Sequence, residues 1–217
     1  MDCIPKIKFN KVNEPYGCFS NFAQYPIFIN DKEWPTNEHF FQAQKFMGTL
    51  HEEEIRAVSS PIEAAKMGQE KDRPLRSDWN LVRDEIMRLA VKAKVEQHKV
   101  VRDILLSTGN CTLIKHTSND FYWADNGDGG GKNMLGIVLM EIRNSLPEYT
   151  GTFYLPQWLA YPDVHPYDIF WRMGTGEDYI MKYGEWFYSI SEDAQKEYKR
   201  YFKPPKDWED GEDEEDD

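Results

Sequence analysis

Signals that begin and end helices recur between residues 35 and 109 and limit what this part of the chain can form. Pro35 with Thr36 or Asn37 marks one helix start. Ser60-Pro61-Ile62-Glu63 is a capping box with proline at the first helical position. Including apolar stretches at helical spacing, the sequence predicts helices from residue 37, over 52–57, from 61 to Gly68, from Ser77 or Asp78, over 98–107 and over 134–146.

The segments on either side of these helices have the character of short strands. Ile7-Lys8-Phe9 alternates apolar and polar residues. Asn30-Asp31, between two such runs, predicts a β-hairpin. Cys111–Ile114 and Phe121–Trp123 are predicted to be further strands. The chain therefore combines several helices with a few short strands.

Negative charge is concentrated at the C-terminal end of the chain. The formal net charge is −12, but residues 207–217 hold nine acidic residues and no basic one, and the rest has 29 acidic against 26 basic residues. We expect residues 207–217 to be a disordered tail. Because no basic stripe is visible, tight binding to duplex nucleic acid is not expected. A length of 217 residues suits one domain with an appendage.

Cysteine content and hydropathy favour an intracellular location. Cys3, Cys18 and Cys111 are few, odd in number and widely spaced, so the sequence predicts neither disulfides nor a metal site. No stretch is apolar and long enough for a signal peptide or a membrane span. We expect a soluble, cytoplasmic protein with reduced thiols and no cofactor.

Aromatic residues are dense in the segment after Pro147, which ends the predicted helix over 134–146. Such a number of rings requires burial, so we expect residues 147–206 to pack on the main domain as an extension.

Glu38 and Lys45 are the first candidates for chemistry. Glu38 falls in the first turn of the helix beginning at residue 37, and Lys45 lies two turns later on the same face, roughly 10 Å further along the axis. A carboxylate and an amine at this spacing can flank a small ligand. The alternative from this segment alone is a helix-terminal acid and a solvated surface lysine.

A glycine-rich loop precedes the helix over 134–146. Backbone N–H groups of Gly129, Gly130 and Gly131 can bind a phosphate or diphosphate. The spacing fits neither a Walker A loop nor a dinucleotide fingerprint, and an isolated glycine cluster is more often a flexible turn. Its neighbours strengthen the binding hypothesis, since they include an aromatic ring, a carboxylate and a cation: Trp123, Asp125 and Lys132.

Other polar and aromatic residues offer further ligand contacts. Trp79, at a helix start, is either a surface ring or a stacking platform for a base. Ser20 and Asn21 can orient a sugar or cap their own turn. His39 and His116 have no second ligand at metal spacing, so we interpret both as structural.

Together these motifs resemble the NADAR family, also called YbiA-like. The resemblance runs in the same order from about residue 7 to 146, which makes it far more specific than any single motif. The matching segments are Gly17-Cys18-Phe19-Ser20-Asn21-Phe22, Trp34-Pro35-Thr36-Asn37-Glu38-His39, Gln42-Ala43-Gln44-Lys45-Phe46, Ser59-Ser60-Pro61, Met67-Gly68, Pro74-Leu75-Arg76, Trp79, Tyr122-Trp123-Ala124-Asp125 and Gly131-Lys132-Asn133-Met134-Leu135-Gly136.

The resemblance implies a compact, mostly helical α+β domain over residues 7–146 that cleaves N-glycosidic bonds without a metal. Its substrates would be ADP-ribose attached to guanine, or phosphorylated ribosylamino intermediates of riboflavin synthesis. Carried over by motif, Glu38 is the family's essential glutamate, Trp79 its tryptophan, Asp125 its aspartate and Lys45 its lysine. Asp128 departs from the family pattern by adding negative charge near the expected phosphate site.

We therefore expect an enzyme that removes ADP-ribose from ADP-ribosylated guanine, in a nucleotide or in nucleic acid. The ribose would lie between Glu38 and Asp125, a base on Trp79 or Trp123, and the diphosphate at the glycine loop. Either Glu38 activates water or Lys45 attacks C1 to form a Schiff base. The alternatives are an N-glycosidase of riboflavin intermediates and a non-catalytic sensor of NAD or ADP-ribose.

Overall fold

A computed structural model describes residues 4–209 of the chain. Cys3 and most of the acidic run, residues 210–217, lie outside the described residues. The helices are α1 (Asn37–Ala43), α2 (Leu50–Ala57), α3 (Pro61–Met67), α4 (Trp79–Gln97), α5 (Lys99–Ser107), α6 (Met134–Ser145), α7 (Gln157–Ala160), α8 (Gly174–Ser189) and α9 (Glu192–Tyr201). The strands are β1 (Lys6–Phe9), β2 (Ile27–Ile29), β3 (Lys32–Trp34) and β4 (Thr112–Lys115).

The strands form two separate two-stranded ladders within these residues. β2 and β3 make the predicted antiparallel hairpin, and Asn30 and Asp31 take φ angles of 54° and 60°, which asparagine and aspartate adopt at low cost. β1 pairs in parallel with β4, so that Phe9 lies beside Lys115. The expected mostly helical α+β fold is confirmed.

One face of the parallel pair packs against α6. Parallel strands need a long crossover connection, and here that connection contains α1 to α5. Ile7 and Leu113 are fully buried and pack with Val138 and Leu139 of α6. This packing fixes the end of β4, where Lys115 lies.

A second apolar cluster packs the hairpin against α1. Ile27, Trp34 and Phe40 are at most 1% exposed, and the Trp34 and Phe40 rings meet edge to face with centroids 5.2 Å apart. The Trp34 Nε1–H donates to Ile29 O at 3.3 Å. The hairpin therefore holds the start of α1 in place.

The expected strand at Phe121–Trp123 is wrong, because these residues form turns. Asp120 Oδ1 accepts the backbone N–H groups of Tyr122 and Trp123 at 3.0 and 2.8 Å. A side chain thus takes the donors that a sheet ladder would use.

The extension folds around its own aromatic cluster and packs on the main domain. Trp186 and Phe187 of α8 lie against Tyr198 of α9 and Phe202. Tyr201 Oη accepts the backbone N–H of Lys8 at 2.9 Å, at the edge of β1. The extension is thereby tied to the first strand of the domain.

The acidic run begins within an ordered turn. Lys206–Trp208 forms a 3-10 helix, and the Trp208 ring lies 5.8 Å from Trp158 and 5.7 Å from Trp171, centroid to centroid. Residues 207–209, expected to be disordered, therefore belong to the extension.

Candidate active site

One cavity of 370 Å³ brings together Glu38, Lys45 and the predicted aromatic platforms. It opens between α1, α3, α4 and the segments that follow β1 and β4. Its lining residues are Ser20, Asn21, Phe22, Glu38, Phe41, Gln42, Lys45, Ala65, Gln69, Trp79, Arg83, Met87, Lys115, Asp120, Trp123 and Leu135.

Helix capping positions the Glu38 carboxyl. Thr36 is the N-cap of α1, and its hydroxyl accepts the His39 N–H at 3.4 Å. The Glu38 N–H donates to Asn21 O at 3.1 Å, which joins the start of α1 to the preceding turn. One turn further, Gln42 Nε2 donates to Glu38 Oε1 at 2.7 Å. The Glu38 backbone is therefore held by Asn21 and its carboxyl by Gln42.

Lys45 reaches the same cavity from a 3-10 turn that follows α1, and not from a continuous α-helix. α1 ends at Ala43, and Gln44–Phe46 is a 3-10 helix. Lys45 Nζ donates to Gly68 O at 2.7 Å and lies 5.6 Å from the centroid of the Trp79 ring. Glu38 and Lys45 both line the cavity, so the expected acid and amine share one cleft.

Burial shifts the pKa values of Glu38 and Lys45 in the direction of neutral pH. It raises the pKa of Glu38 to about 7, although the Gln42 hydrogen bond and the Lys45 charge act in the opposite direction. Burial also lowers the pKa of Lys45, while Glu38 opposes that shift. Near neutral pH, Glu38 can therefore hold or release a proton, as acid–base catalysis requires, and Lys45 is less basic than a solvated lysine.

Three rings form the aromatic wall of the cavity. Phe41 packs edge to face on Trp79 and on Trp123, with centroid distances of 5.0 and 5.3 Å. Trp79 is 8% exposed, too buried for a surface ring. Both tryptophans line the cavity, and their role as stacking platforms stays a prediction.

A buried lysine shapes the wall that carries Ser20 and Asn21. Lys94 is fully buried on α4, and its amino group donates to Cys18 O at 2.8 Å and Ser20 O at 3.0 Å. Burial lowers its pKa to about 8.

Within residues 4–209, Asn21 Oδ1 and Gln42 Oε1 have no hydrogen-bond partner. Both side chains line the cavity, where they can accept hydrogen bonds from ligand hydroxyls.

Asp125 does not line this cavity. Its carboxylate accepts a hydrogen bond from the Gly127 N–H at 2.9 Å and pairs with His116 Nδ1 at 2.8 Å. Its own N–H donates to Lys115 O at 2.9 Å. Glu38 lines the cavity and Asp125 does not, so the structure does not form the ribose site that was expected between them. Asp125 instead anchors the loop behind Lys115 and Trp123.

The glycine loop also lies outside the cavity, and its N–H groups donate within the loop. Gly129 and Gly131 donate to Asp125 O at 2.9 and 3.1 Å, and Gly130 donates to Asp128 Oδ1 at 2.8 Å. Lys132 extends its amino group toward Tyr122, 5.0 Å from the ring centroid. This arrangement does not form the diphosphate cradle that the sequence suggested.

Three charged lining residues were missed from the sequence: Arg83, Lys115 and Asp120. Arg83 follows Trp79 by one helical turn, so the i, i+4 spacing on α4 could have identified it. No comparable local signal exists for Lys115 or Asp120, because the pairing of β4 with β1 brings them to the site.

His39 and His116, interpreted from the sequence as structural, have hydrogen-bond partners within the protein. His39 Nδ1 lies 2.8 Å from Thr36 Oγ1, and its Nε2 lies 3.1 Å from Val58 O. Within the described part of the chain, no group of three or more His, Cys, Asp or Glu side chains is arranged to hold a metal ion. None of the helices in that part is long and apolar enough to cross a membrane.

Two further cavities clarify the extent of the site. A cavity of 290 Å³ adjoins the first and shares Lys45, Gln69 and Trp79 with it. A larger cavity, of 620 Å³, lies between the main domain and α9 and contains none of the candidate catalytic residues. Its Glu197 and Arg200 form an ion pair with one another. The cavities of 370 and 290 Å³ therefore define the candidate site.

The family model of the NADAR domain matches residues 8–147. That range includes every lining residue of the 370 Å³ cavity, from Ser20 to Leu135. The chain belongs to the NADAR family.

Similar proteins cover the same part of the chain. The N-glycosidase YbiA of Escherichia coli is 51% identical over 140 residues, which span 64% of this chain and 88% of that protein. Its NMR structure matches with a TM-score of 0.61 over 64% of this chain and 83% of that one. An N-glycosidase of Nostoc punctiforme is 43% identical over 64% of this chain and 92% of its own.

A longer relative is named for riboflavin biosynthesis and not as an N-glycosidase. A riboflavin biosynthesis protein of Vibrio vulnificus is 35% identical over 143 residues, covering 66% of this chain but only 39% of that protein. The shared region thus occurs both by itself and as part of a larger protein.

Proposed function

We propose that this chain hydrolyses N-glycosidic bonds and that its substrate is ADP-ribosylated guanine, from which it releases ADP-ribose. The observation that carries the proposal is a pair of ionisable groups, the buried Glu38 and the partly buried Lys45, in one cavity walled by Trp79 and Trp123. The N-glycosidase names of relatives that share this region support the reaction class.

The chemistry requires a water oxygen to bond to C1 of the ribose while the C1–N bond breaks. The departing nitrogen must also gain a proton. As the bond breaks, C1 develops positive charge, which an ionised Glu38 stabilises more in the transition state than in the substrate. The same carboxylate can accept the proton of the attacking water.

Lys45 offers a second route through a covalent intermediate. Its amine, made less basic by burial, attacks C1 of the ring-opened ribose and expels the base, which takes up a proton. Ring opening has already broken the C1–O4′ bond, with O4′ taking up a proton, so departure of the base from C1 leaves the C1–Lys45 bond as a Schiff base. Water then adds to C1 and releases the sugar and the free lysine. Both routes give the same products and differ in whether an adduct forms.

Cavity dimensions favour a large substrate. The cavities of 370 and 290 Å³ meet at Lys45 and Trp79, so a ligand can extend on both sides of the catalytic pair. ADP-ribose on one side and guanine on the other would use both compartments, with the rings on the tryptophans.

A phosphoribosylamino pyrimidine of the riboflavin pathway is the second candidate. The observation in its favour is the similarity to a riboflavin biosynthesis protein over this same region. Such a compound is smaller and would occupy the 370 Å³ cavity alone.

Parallel incubations with both compounds test these proposals. We expect chromatography to show free ADP-ribose and the guanine compound from the first substrate, with slower turnover of the second. Faster turnover of the pyrimidine compound would reverse the assignment. Binding of ADP-ribose without turnover of either compound would instead identify a sensor.

A further inference from the structure

We propose that Arg83, braced by Tyr122, forms with Lys115 the subsite that binds a phosphate of the substrate. The proposal rests on the N-glycosidase function and deepens it, because it places the phosphate on α4 and β4 rather than on the glycine loop. The ligand class is a ribosyl phosphate, and the phosphate is either the 5′-phosphate itself or the distal phosphate of ADP-ribose.

Arg83 is held in a fixed orientation at the cavity wall. The centre of its guanidinium lies 3.7 Å from the centroid of the Tyr122 ring, a stacking contact. The Tyr122 hydroxyl donates to the two carboxylate oxygens of Asp84 at 2.9 and 2.8 Å. The ring is therefore fixed at its far end and presents a rigid platform to Arg83.

The donors of Arg83 are not consumed by a carboxylate. Its buried Nε has no hydrogen-bond partner within residues 4–209, and its separation of 3.8 Å from Asp84 Oδ1 is beyond hydrogen-bond distance. Other arginines on the surface of this chain form short ion pairs, as Arg88 does with Glu141 at 2.7 Å. Arg83 is thus an oriented cation with unused donors beside a cavity.

Lys115 adds a second cation on the neighbouring wall. Its amino group donates to Asn10 O at 2.9 Å and Asn10 Oδ1 at 3.0 Å, and an ammonium has a third N–H to offer. The cavity also contains Lys45 as a cation, against Glu38 and Asp120 as acids. Together with Arg83, the lining holds three cations against two acids, so the cavity attracts anions even when Glu38 is ionised.

The internal bonding of the glycine loop strengthens this placement. Gly129, Gly130 and Gly131 donate their N–H groups to Asp125 and Asp128. A phosphate at the loop would have to break those bonds, whereas the donors of Arg83 are already available.

Calorimetric titration with ribose 5-phosphate and with ribose tests the subsite directly, without requiring turnover. Wild type should bind ribose 5-phosphate roughly 10- to 100-fold more tightly than ribose, as expected for charge-assisted hydrogen bonds. The preference should weaken as salt rises. Arg83→Gln and Lys115→Gln should each remove most of the preference but leave the affinity for ribose unchanged.

Variants around Arg83 separate binding from structure. Arg88→Gln, on the same helix but outside the cavity, is the matched control and should keep the preference. Tyr122→Phe keeps the ring but removes its tie to Asp84, so it should weaken the preference, whereas Tyr122→Leu removes the ring as well and should weaken it more. A titration with ADP-ribose distinguishes the two phosphates. If ribose 5-phosphate already shows the full gain in affinity over ribose, the subsite binds the 5′-phosphate. If only ADP-ribose shows that gain, the subsite binds the distal phosphate.

Three outcomes would overturn the subsite: wild type binding ribose as tightly as both ribose 5-phosphate and ADP-ribose, Arg83→Gln keeping the preference for the phosphorylated ligand, or Arg83→Gln losing affinity for ribose and the phosphorylated ligand alike. The last would make Arg83 a structural brace. A preserved preference without hydrolysis of any substrate would support the subsite and contradict the N-glycosidase function, so the two failures are distinguishable.

Discussion

At the scale of single residues, the burial of Glu38 links the site to folding stability. The carboxyl ionises near pH 4.5 when solvated and near pH 7 in the folded protein. Between these values the folded state holds a proton that the unfolded state has lost, so the free energy of unfolding falls as pH rises through this window. Above pH 7 the full cost of burying the charge is present.

We predict that Glu38→Gln is more stable than wild type above pH 7, by on the order of 2–3 kcal/mol. The amide has the same shape and no charge to desolvate. At pH 4.5 the two proteins should be equally stable. Urea unfolding across this pH range measures the difference, and parallel curves for the two proteins would show that Glu38 carries no buried charge.

Lys45 makes a distinct prediction about the covalent route. Borohydride added during turnover should attach a reduced ribosyl adduct to Lys45, because reduction fixes a Schiff base. Lys45→Arg keeps the charge but has no usable nucleophile, so it should lose both the adduct and the activity. Mass spectrometry of the protein gives the result. An active Lys45→Arg enzyme without adduct would leave direct attack by water as the route.

At the scale of secondary-structure elements, the close approach of α3 to α1 controls the geometry of the site. Gly68 ends α3, and its carbonyl accepts the Lys45 ammonium. A Cβ at Gly68 would lie 2.0 Å from Gln42 Oε1, although its φ of −68° suits any residue. Glycine is therefore required by space, since Gln42 must reach Glu38.

We predict that Gly68→Ala lowers kcat/KM roughly 10- to 100-fold, because displacement of Gln42 moves the Glu38 carboxyl. Gly184→Ala is the matched control: it lies in α8 with no atom within 4 Å of the added Cβ. The control should keep full activity and gain about 0.5–1 kcal/mol of stability. Equal kcat/KM in both variants would contradict a role for the contact between α3 and α1.

Elements with local signals could be predicted from sequence, and those that depend on distant pairing could not. The hairpin at Asn30-Asp31 and the proline-capped helix α3 follow from residues next to one another. Phe121–Trp123 has strand composition but forms turns, because Asp120 takes its N–H groups. For the site, Glu38, Lys45, Ser20, Asn21, Trp79 and Trp123 were found by motif, whereas Lys115 and Asp120 depend on the β1–β4 pairing.

At the scale of the whole molecule, the extension contacts the domain without contributing to the 370 Å³ cavity. Tyr201 Oη accepts the Lys8 N–H of β1, and the Tyr201 ring packs on Tyr16 with centroids 5.4 Å apart. Every lining residue of the 370 Å³ cavity precedes the extension in sequence. Stability and catalysis should therefore separate in variants of this contact.

We predict that Tyr201→Phe lowers the free energy of unfolding by about 1 kcal/mol and leaves kcat/KM unchanged, because it removes one hydrogen bond to a strand edge. Tyr188→Phe, on a side chain that is 81% exposed, is the matched control and should change neither quantity. Urea denaturation and steady-state kinetics measure both. Similar stability losses in the two variants would show that the contact with β1 contributes nothing specific.

The most direct test of the central claim is the rate of base release by wild type and by Glu38→Gln, measured by chromatography with ADP-ribosylated guanine and with the phosphoribosylamino pyrimidine. Wild type should release the base from at least one of them, and Glu38→Gln should do so about 10²- to 10⁴-fold more slowly with little change in substrate binding. A Glu38→Gln enzyme within a few-fold of wild type would contradict the account.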